Sequence, residues 1–323
     1  GPFQDGAAPG VWTIMEAAYW IKQGLWPLAG NINTGNIALF GGGSIGGGPT
    51  ATNTVNYVNI ATTGNSTSFG TLTRASTGLA ACGSTTRAIF AGGNIVGGSP
   101  TNVIDFTTFN TTGTFADFGD LNNTMVNGSA CNSSTRGIIT RQDDIFYITI
   151  ATTGNSTTFG NFGVNMGFNA SCSSSTRGIF AGGNDNTALI KYVTIATTGS
   201  NASFGNISGL NREATACSSS TRGIIGGGLN DPSGGSMNVI SYVTIATTGN
   251  ALDFGDLTSV TNQLAAASSS VRGIFAGGTN GNNRINIISY VTIATLGDAT
   301  DFGDLPSANQ ELAGCSGGNG GVQ

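Results

Sequence analysis

Five arginines recur at one fixed place in the sequence, and they are the side chains best suited to bind an anion. They are Arg87, Arg136, Arg177, Arg222 and Arg272. A guanidinium presents a planar fork of donors that matches carboxylates, phosphates and sugar acids. Such a ring could bind an anion, or each Arg could brace the fold by pairing with a carboxylate at a neighbouring strand end. Because both residue types occupy fixed positions, we predict a structural ring of ion pairs. The candidate partners are Asp117, Asp120, Asp253, Asp256, Asp301 and Asp304.

Five cysteines also share one repeat position, five residues before the Arg position in four of the six units. They are Cys82, Cys131, Cys172, Cys217 and Cys315, with Ala267 in the sixth unit. Equivalent positions of a repeat fold lie one unit apart, beyond the reach of a disulfide. The sequence therefore predicts free, buried thiols. Because the chain has no His, zinc, copper and haem sites of the usual kind are not expected, and we predict no metal and no cofactor.

The remaining residues offer little for catalysis. Without His, a Ser-His-Asp triad is excluded. Asp143 and Asp144 are neighbours, and neighbours in an extended strand point to opposite faces. Glu213 and Glu311 lie between strands of separate units with no evident partner. We predict that the protein is not an enzyme, with an unrecognised active site kept as the third hypothesis.

These residues lie on a strict repeat. Twelve residues separate an aromatic residue from a Phe in six units, and thirteen more lead to the Cys position. The six pairs are Tyr57–Phe69, Phe106–Phe118, Tyr147–Phe159, Tyr192–Phe204, Tyr242–Phe254 and Tyr290–Phe302. A period of 41 to 50 residues indicates a repeat architecture.

Each unit contains four short strand patterns. In the fifth unit they are residues 242–249, 252–257, 263–267 and 272–278. Four strands per unit of this length are typical of a β-propeller. The first unit lacks its Ala-Cys strand and residues 311–316 supply a surplus one, so the C-terminal strand is expected to close the ring.

The N-terminal segment is different. Thr13 and Glu16 match the pattern of a capping box. Residues 14–23 are predicted to form a short helix that ends at Gly24. The three Trp of the chain, Trp12, Trp20 and Trp26, all lie here. This leader, residues 1–30, is expected either to pack on the 31–323 domain or to mediate homo-oligomer contacts. The chain opens on Gly1-Pro2 without Met, so we expect it to have been cleaved, trimmed or expressed as a fragment.

Composition limits the partners. Only 8% of the residues are charged, against roughly 25% in ordinary globular proteins. The net charge of −5 argues against nucleic acid, which needs clustered Lys and Arg. No run of 18 apolar residues exists, so no membrane insertion is expected.

Paired glycines followed by an aromatic residue, in a four-stranded repeat, resemble kelch repeats. The pairs are Gly42-Gly43, Gly92-Gly93, Gly182-Gly183, Gly227-Gly228 and Gly277-Gly278. The family's Trp is absent from the units, and Arg141-Gln142 replaces the glycines of the third. The repeats Ser-Ser-Thr-Arg-Gly-Ile-Phe-Ala-Gly-Gly and Tyr-Val-Thr-Ile-Ala-Thr-Thr-Gly, with the leader residues 8–13 and 23–27, resemble virion structural proteins of tailed, especially marine, bacteriophages.

Length varies between the Arg and the next aromatic residue, and this stretch is expected to emerge on one face of the ring. The variable loops are residues 44–54, 94–102, 142–144, 184–189, 229–238 and 279–286. They are rich in Asn, Gly, Thr and Ser, as suits glycans or a flat protein face, although neutral drift would give the same pattern. The candidate binding residues are Asn94, Arg141, Asp144, Asn184, Asp185, Asn230, Asp231, Asn282 and Arg284.

The sequence thus predicts an all-β, six-bladed, kelch-like β-propeller with four strands per blade and a short N-terminal helical leader. The resemblance implies a non-enzymatic structural or adhesive protein of a tailed-phage virion, in the tail or its fibres. Its expected partners are other virion proteins or a host-surface glycan. The alternative is a bacterial carbohydrate-binding propeller that is secreted or held at the cell surface.

Overall fold

The computed structural model describes residues 34–46, 50–184, 188–199, 201–209, 211–230, 234–281 and 283–322. These residues form an all-β structure built around six antiparallel four-stranded sheets. The helical residues among them are two 3₁₀ turns, Thr34–Asn36 and Gly320–Val322. The helix predicted at residues 14–23 lies outside the described residues, so the leader and its boundary at residue 30 stay predictions.

The six main sheets are numbered 1 to 6, and their strands are given from inner to outer. Sheet 1 contains Ala313–Ser316, Ile37–Gly41, Thr54–Asn59 and Thr67–Thr71. Sheet 2 contains Ala80–Gly83, Arg87–Ala91, Thr101–Thr108 and Ala116–Met125. Sheet 3 contains Ser129–Asn132, Arg136–Arg141, Asp144–Thr149 and Thr157–Asn161. Sheet 4 contains Ala170–Ser173, Arg177–Ala181, Leu189–Thr194 and Asn201–Asn206. Sheet 5 contains Thr215–Ser218, Arg222–Gly226, Val239–Thr244 and Leu252–Asp256. Sheet 6 contains Ala265–Ser268, Arg272–Ala276, Ile287–Thr292 and Thr300–Asp304.

Sheet 1 joins the two ends of the described chain. Its inner strand, Ala313–Ser316, pairs antiparallel with Ile37–Gly41, with Leu39 opposite Cys315. The C-terminal strand therefore takes the place that the sequence predicts for it. A short fifth strand, Gly113–Thr114, adds in parallel to the outer edge of this sheet.

The six inner strands are linked by a closed circuit of backbone hydrogen bonds. The residue four positions before each Cys position donates its N–H to the carbonyl of its counterpart in the preceding sheet, at N···O distances of 2.8 to 3.0 Å. Gly78 of sheet 2 donates to Glu311 of sheet 1, and Glu311 donates to Gln263 of sheet 6, so the circuit returns to its start. The six members are Gly78, Asn127, Phe168, Glu213, Gln263 and Glu311.

Each inner-strand thiol packs against the next sheet. A Cβ added to Gly178 would lie 2.8 Å from Cys131 Sγ, and one added to Gly223 would lie 2.6 Å from Cys172 Sγ. A larger residue at these glycines would overpack the contact. Where Ala267 replaces the Cys, the next sheet carries Ala38 in place of the Gly, and both belong to one buried cluster. The five cysteines are free and buried, as predicted.

Burial makes these thiols unreactive. It raises the pKa of Cys82 and of Cys172 from the ordinary value of 9.0 to about 12, because a thiolate would be desolvated. A pKa above the unfolded value means that the thiol contribution to stability is complete below about pH 9 and is lost as the pH rises towards 12.

We therefore expect a thiol reagent at pH 8 to label none of the five cysteines in the native protein and all five in denaturant. We also expect stability to fall between about pH 9 and 12, and to fall less in Cys172→Ala, because that variant lacks one titrating thiol. Rapid native labelling would contradict the burial of the thiols.

The outer strands are held by neighbouring loops. Gly249 donates its N–H to the carbonyl of Phe204 at 2.8 Å, which ties a loop of sheet 5 to the outer strand of sheet 4. The predicted strand at 242–249 is therefore wrong in its second half: the third strand is Val239–Thr244 and the chain then leaves its own sheet. The β-branched composition of this stretch favours a strand, but hydrogen bonds to the adjacent sheet decide its path.

The end of the inner strands that leads into the second strands lies on what we call the turn face. There Ser173, Ser218, Ser268 and Ser316 each donate a hydroxyl to the carbonyl of the counterpart in the preceding sheet, at 2.6 to 2.8 Å. Gly83 has no hydroxyl to give. The amide of Asn319 fills this gap, because its nitrogen lies 2.9 Å from Ser316 O and 3.4 Å from Gly83 O.

The C-terminal residues thereby cover the turn-face end of the space between the inner strands. A Cβ added to Gly320 would lie 2.3 Å from Ser173 O, and one added to Gly321 would lie 1.8 Å from Asn132 O. Only residues without side chains fit so close to these carbonyls.

Candidate functional site

The opposite end of the sheets, which we call the loop face, carries the connections between second and third strands. Several of these connections form short strands that pair with the link into the inner strand of the same sheet. Ser44 pairs with Gln310, Asn94 with Thr77, and Asn230 with Asn211. The short strands are Ser44–Ile45, Thr50–Ala51, Ser76–Thr77, Asn94–Ile95, Asn211–Arg212, Leu229–Asn230, Gly235–Ser236, Thr279–Asn280, Asn283–Arg284 and Asn309–Gln310. The variable loops thus lie beside the links between sheets, as the sequence predicts.

Three of the nine candidate binding residues lie outside the described residues: Asp185, Asp231 and Asn282. Asn230 is exposed at a hairpin tip, whereas Asn94 and Asn184 are half-buried. Arg284 donates to Gly46 O and to the Ser44 hydroxyl, which joins the loops of sheets 6 and 1. Arg284 is therefore a link between two loops.

Sheet 3 differs from the other sheets at the loop face. Arg141 pairs with Asp144 in a hairpin whose turn is only residues 142 and 143, and Gln142 takes a φ of +52° there. The guanidinium of Arg141 lies 3.1 Å from the Asp144 carboxylate. These two candidates stabilise a tight turn in place of the predicted display loop.

The centre of the loop face is a cavity of about 130 Å³ that all six inner strands line. The closed circuit of backbone hydrogen bonds surrounds its mouth. All six circuit residues have φ between +54° and +64°, and five of them are not glycine. Positive φ is uncommon for residues with a Cβ, and retained strain of this kind is often found at functional sites.

The side chains at this mouth carry no positive charge, and all are half-buried except that of Glu213, which is 8% exposed. They are those of Asn127, Phe168, Glu213, Gln263 and Glu311. The Glu311 carboxylate and the two amides can accept hydrogen bonds from hydroxyl groups, and the phenyl ring of Phe168 offers an apolar face. This combination suits a polyhydroxylated ligand with one apolar side.

The two carboxylates have different surroundings. Glu213 accepts a hydrogen bond of 2.7 Å from the amide of Asn262 and lies 4.0 Å from Arg212. Glu311 faces both the central cavity and the neighbouring groove beside Arg284 and Gln310. The sequence indicates no partner for Glu213 or Glu311, and it did not lead us to predict a cavity at the centre of the loop face. The available signal was their shared position, four residues before the Cys position.

The structure accounts for the arginine ring through carbonyl groups of the next sheet. Arg177 Nη1 donates to Ile245 O at 2.8 Å and to Ala246 O at 2.9 Å, and its Cζ lies 4.3 Å from the centre of the Tyr192 ring. Arg87, Arg136, Arg222 and Arg272 make the same two kinds of contact. The predicted Arg–Asp ion pairs are wrong: in the described ranges, ion pairs join only Arg141 to Asp144 and Arg212 to Glu213. Backbone carbonyls, which every residue type supplies, replace the expected carboxylates.

Sheet 1 has Ile37 at the Arg position, and the matching acceptor position in sheet 2 is Phe109. Both are buried in one apolar cluster. An apolar contact therefore replaces the guanidinium bridge at this junction.

We expect Arg177→Ala to lower the free energy of unfolding by about 1 to 3 kcal/mol, because charged hydrogen bonds and a ring contact are lost. Urea denaturation measures this change. Arg141→Ala is the matched control: its ion pair with Asp144 is at the surface and should contribute less than about 1 kcal/mol. Equal effects of the two substitutions would contradict the bracing role.

No protein-family model matches the chain, and no curated protein matches its sequence. Within the described residues no group of three or more His, Cys, Asp or Glu side chains is placed to hold a metal ion. No helix in this part of the chain is both long and apolar enough to cross a membrane.

Proposed function

We propose that the six sheets are the blades of a closed, kelch-like β-propeller and that its loop face is a recognition surface. Support for the closure comes from the hydrogen-bond circuit that returns from Glu311 to Gly78, and from the pairing of the first and last strands of sheet 1. A closed ring leaves no unpaired inner edge, which suits a protein that has to remain folded outside the cell.

The protein is proposed to be a non-enzymatic structural or adhesive component of a tailed-phage virion, in the tail or its fibres. The resemblance of the repeats to phage virion proteins supports the setting. The main observation behind a binding role is the loop-face mouth, where five residues with side chains retain a positive φ. A purely structural ring would be served better by glycine, as at Gly78.

The proposed ligand is a host-surface glycan, and a flat face of another virion protein is the alternative partner. Hydroxyl-rich ligands match the Glu311 carboxylate and the amides of the mouth, and a sugar ring can lie on Phe168. Glu213 accepts a hydrogen bond from Asn262 and its side chain is 8% exposed, so its role at the mouth is to support the neighbouring residues. A secreted or cell-surface carbohydrate-binding propeller would use the same face, so the two proposals differ in location and share the binding chemistry.

The test is binding of the whole chain to a glycan array and to host cells. Phe168→Asn and Glu311→Gln are suitable variants, because Asn127 and Gln263 occupy the same position in other sheets. We expect each to weaken glycan binding by about tenfold, the equivalent of one lost contact of about 1.4 kcal/mol, with the unfolding midpoint retained.

A second variant tests the hairpins. Replacing residues 227–239 of sheet 5 by residues 141–144 of sheet 3 should leave the fold intact, because these segments occupy equivalent positions and sheet 3 makes this connection naturally. Reduced binding would extend the site to the loops. Glycan binding that survives all three changes would move the site away from the loop face. Mass spectrometry of purified phage particles decides between the virion and the free protein.

A further inference from the structure

Three large apolar side chains are exposed on the turn face, on segments of sheets 5 and 6 that adjoin one another. Leu252 is 58% exposed, Val271 is 58% exposed and Leu296 is 55% exposed. We call these three residues the apolar patch. Two backbone hydrogen bonds join the three segments that carry them. Ile293 N bonds to Val271 O at 2.8 Å, and Leu296 follows three residues later. Gly297 N bonds to Phe254 O at 2.9 Å, two residues from Leu252.

The apolar patch is a departure from the repeat. The position of Val271 is Thr in the other four units that carry the Arg, namely Thr86, Thr135, Thr176 and Thr221. The position of Leu296 is Thr in the five other units, namely Thr63, Thr112, Thr153, Thr198 and Thr248. The position of Leu252 is otherwise Thr or Ala, namely Thr67, Ala116, Thr157, Ala202 and Thr300. Three small or polar positions have thus become large and apolar at the junction of sheets 5 and 6, where the fold itself does not need them.

The described chain begins on the turn face, in the sheet next to the one that carries Val271 and Leu296. Asn36 O accepts a hydrogen bond of 2.7 Å from Ile60 N, and Ile60 O accepts one of 3.1 Å from Arg272, the residue after Val271. One residue, Ile60, therefore contacts both the first described turn and the residue next to the patch. Residues 1–33 precede this point and contain all three Trp of the chain. Thirty-three residues are long enough to reach any part of the turn face.

We propose that the apolar patch is the docking surface for the N-terminal segment, residues 1–33, of the same chain. Trp side chains bury large apolar areas at such contacts. The segment carries only Asp5, Glu16 and Lys22 as charged side chains, so little charge has to be desolvated. Docking there leaves the loop face free, so this inference is independent of the proposed glycan site.

Intrinsic fluorescence tests the proposal directly, because every Trp of the chain lies in the segment. In the full chain we expect blue-shifted emission and weak quenching by acrylamide. The triple variant Leu252→Thr, Val271→Thr and Leu296→Thr restores the residue type of other sheets, so the fold should be retained. We expect its emission to shift to longer wavelength and its quenching to increase.

The matched control is Val96→Thr with Val260→Thr, which changes two exposed valines at the loop face. Its emission should equal that of the unchanged chain. Unchanged emission in the triple variant would overturn the proposal. A shift that follows protein concentration and the loss of a dimer on size exclusion would also overturn it, because the occupant would then be a second copy.

Discussion

A chain that ends at Ala308 should lose cooperative folding. The deletion removes the inner strand of sheet 1, with buried Leu312, Ala313 and Cys315, and it uncovers Leu39 and Phe40. Each large apolar side chain contributes roughly 1.5 to 3 kcal/mol, so the total loss should be about 5 kcal/mol or more. A loss of this size approaches the whole stability of a typical domain.

Circular dichroism and urea denaturation measure this effect. The control is a chain that ends at Gly318, which keeps the strand but lacks Asn319 and the 3₁₀ turn Gly320–Val322. It should lose only about 1 to 2 kcal/mol, corresponding to the hydrogen bonds of Asn319. Cooperative unfolding of the shorter chain would show that sheet 1 does not depend on the C-terminal strand.

Phe254→Ala should cost about 3 to 5 kcal/mol, the usual cost of removing a buried phenyl ring. Phe254 is 3% exposed, and its ring meets that of Tyr242 edge to face at a centroid distance of 6.2 Å. An edge-to-face aromatic pair at the same position recurs in every sheet.

Val260→Ala is the control for this substitution, because Val260 lies six residues away in the chain, outside the apolar patch, and is 45% exposed. It should change the free energy of unfolding by less than about 0.5 kcal/mol. If both substitutions had similar effects in urea denaturation, Phe254 would not be a core residue of sheet 5.

The sequence predicts the parts of this fold that each unit encodes locally. The spacing of equivalent residues predicts four strands per unit, the buried Cys position and the role of residues 311–316. It does so because each repeat unit of the sequence corresponds to one sheet. Contacts whose acceptors are backbone atoms have no such signature. The acceptors of the Arg177 guanidinium are the backbone oxygens of Ile245 and Ala246. Residue types therefore could not predict them.

For the loop-face mouth the sequence offers a single signal, the shared position of Glu213 and Glu311 four residues before the Cys position. Glu213 and Glu311 are 98 positions apart in the chain, and only the circuit of inner strands brings them to one cavity. Their positive φ could not be anticipated, since Glu is not a residue that favours it. The Asn319 contacts likewise depend on the missing hydroxyl at Gly83, which matters only when the serine positions face one another.

The pairing of Ala38 with Ser316 has a consequence during synthesis. At the usual rate of about 5 to 20 residues per second, strand Ile37–Gly41 leaves the ribosome roughly 14 to 55 seconds before its inner partner is translated. Its apolar edge stays unpaired for that time, in a nascent chain whose later sheets can already form. Slow elongation would prolong this exposure, so the yield of folded protein should depend on translation speed and on chaperones that cover unpaired strands.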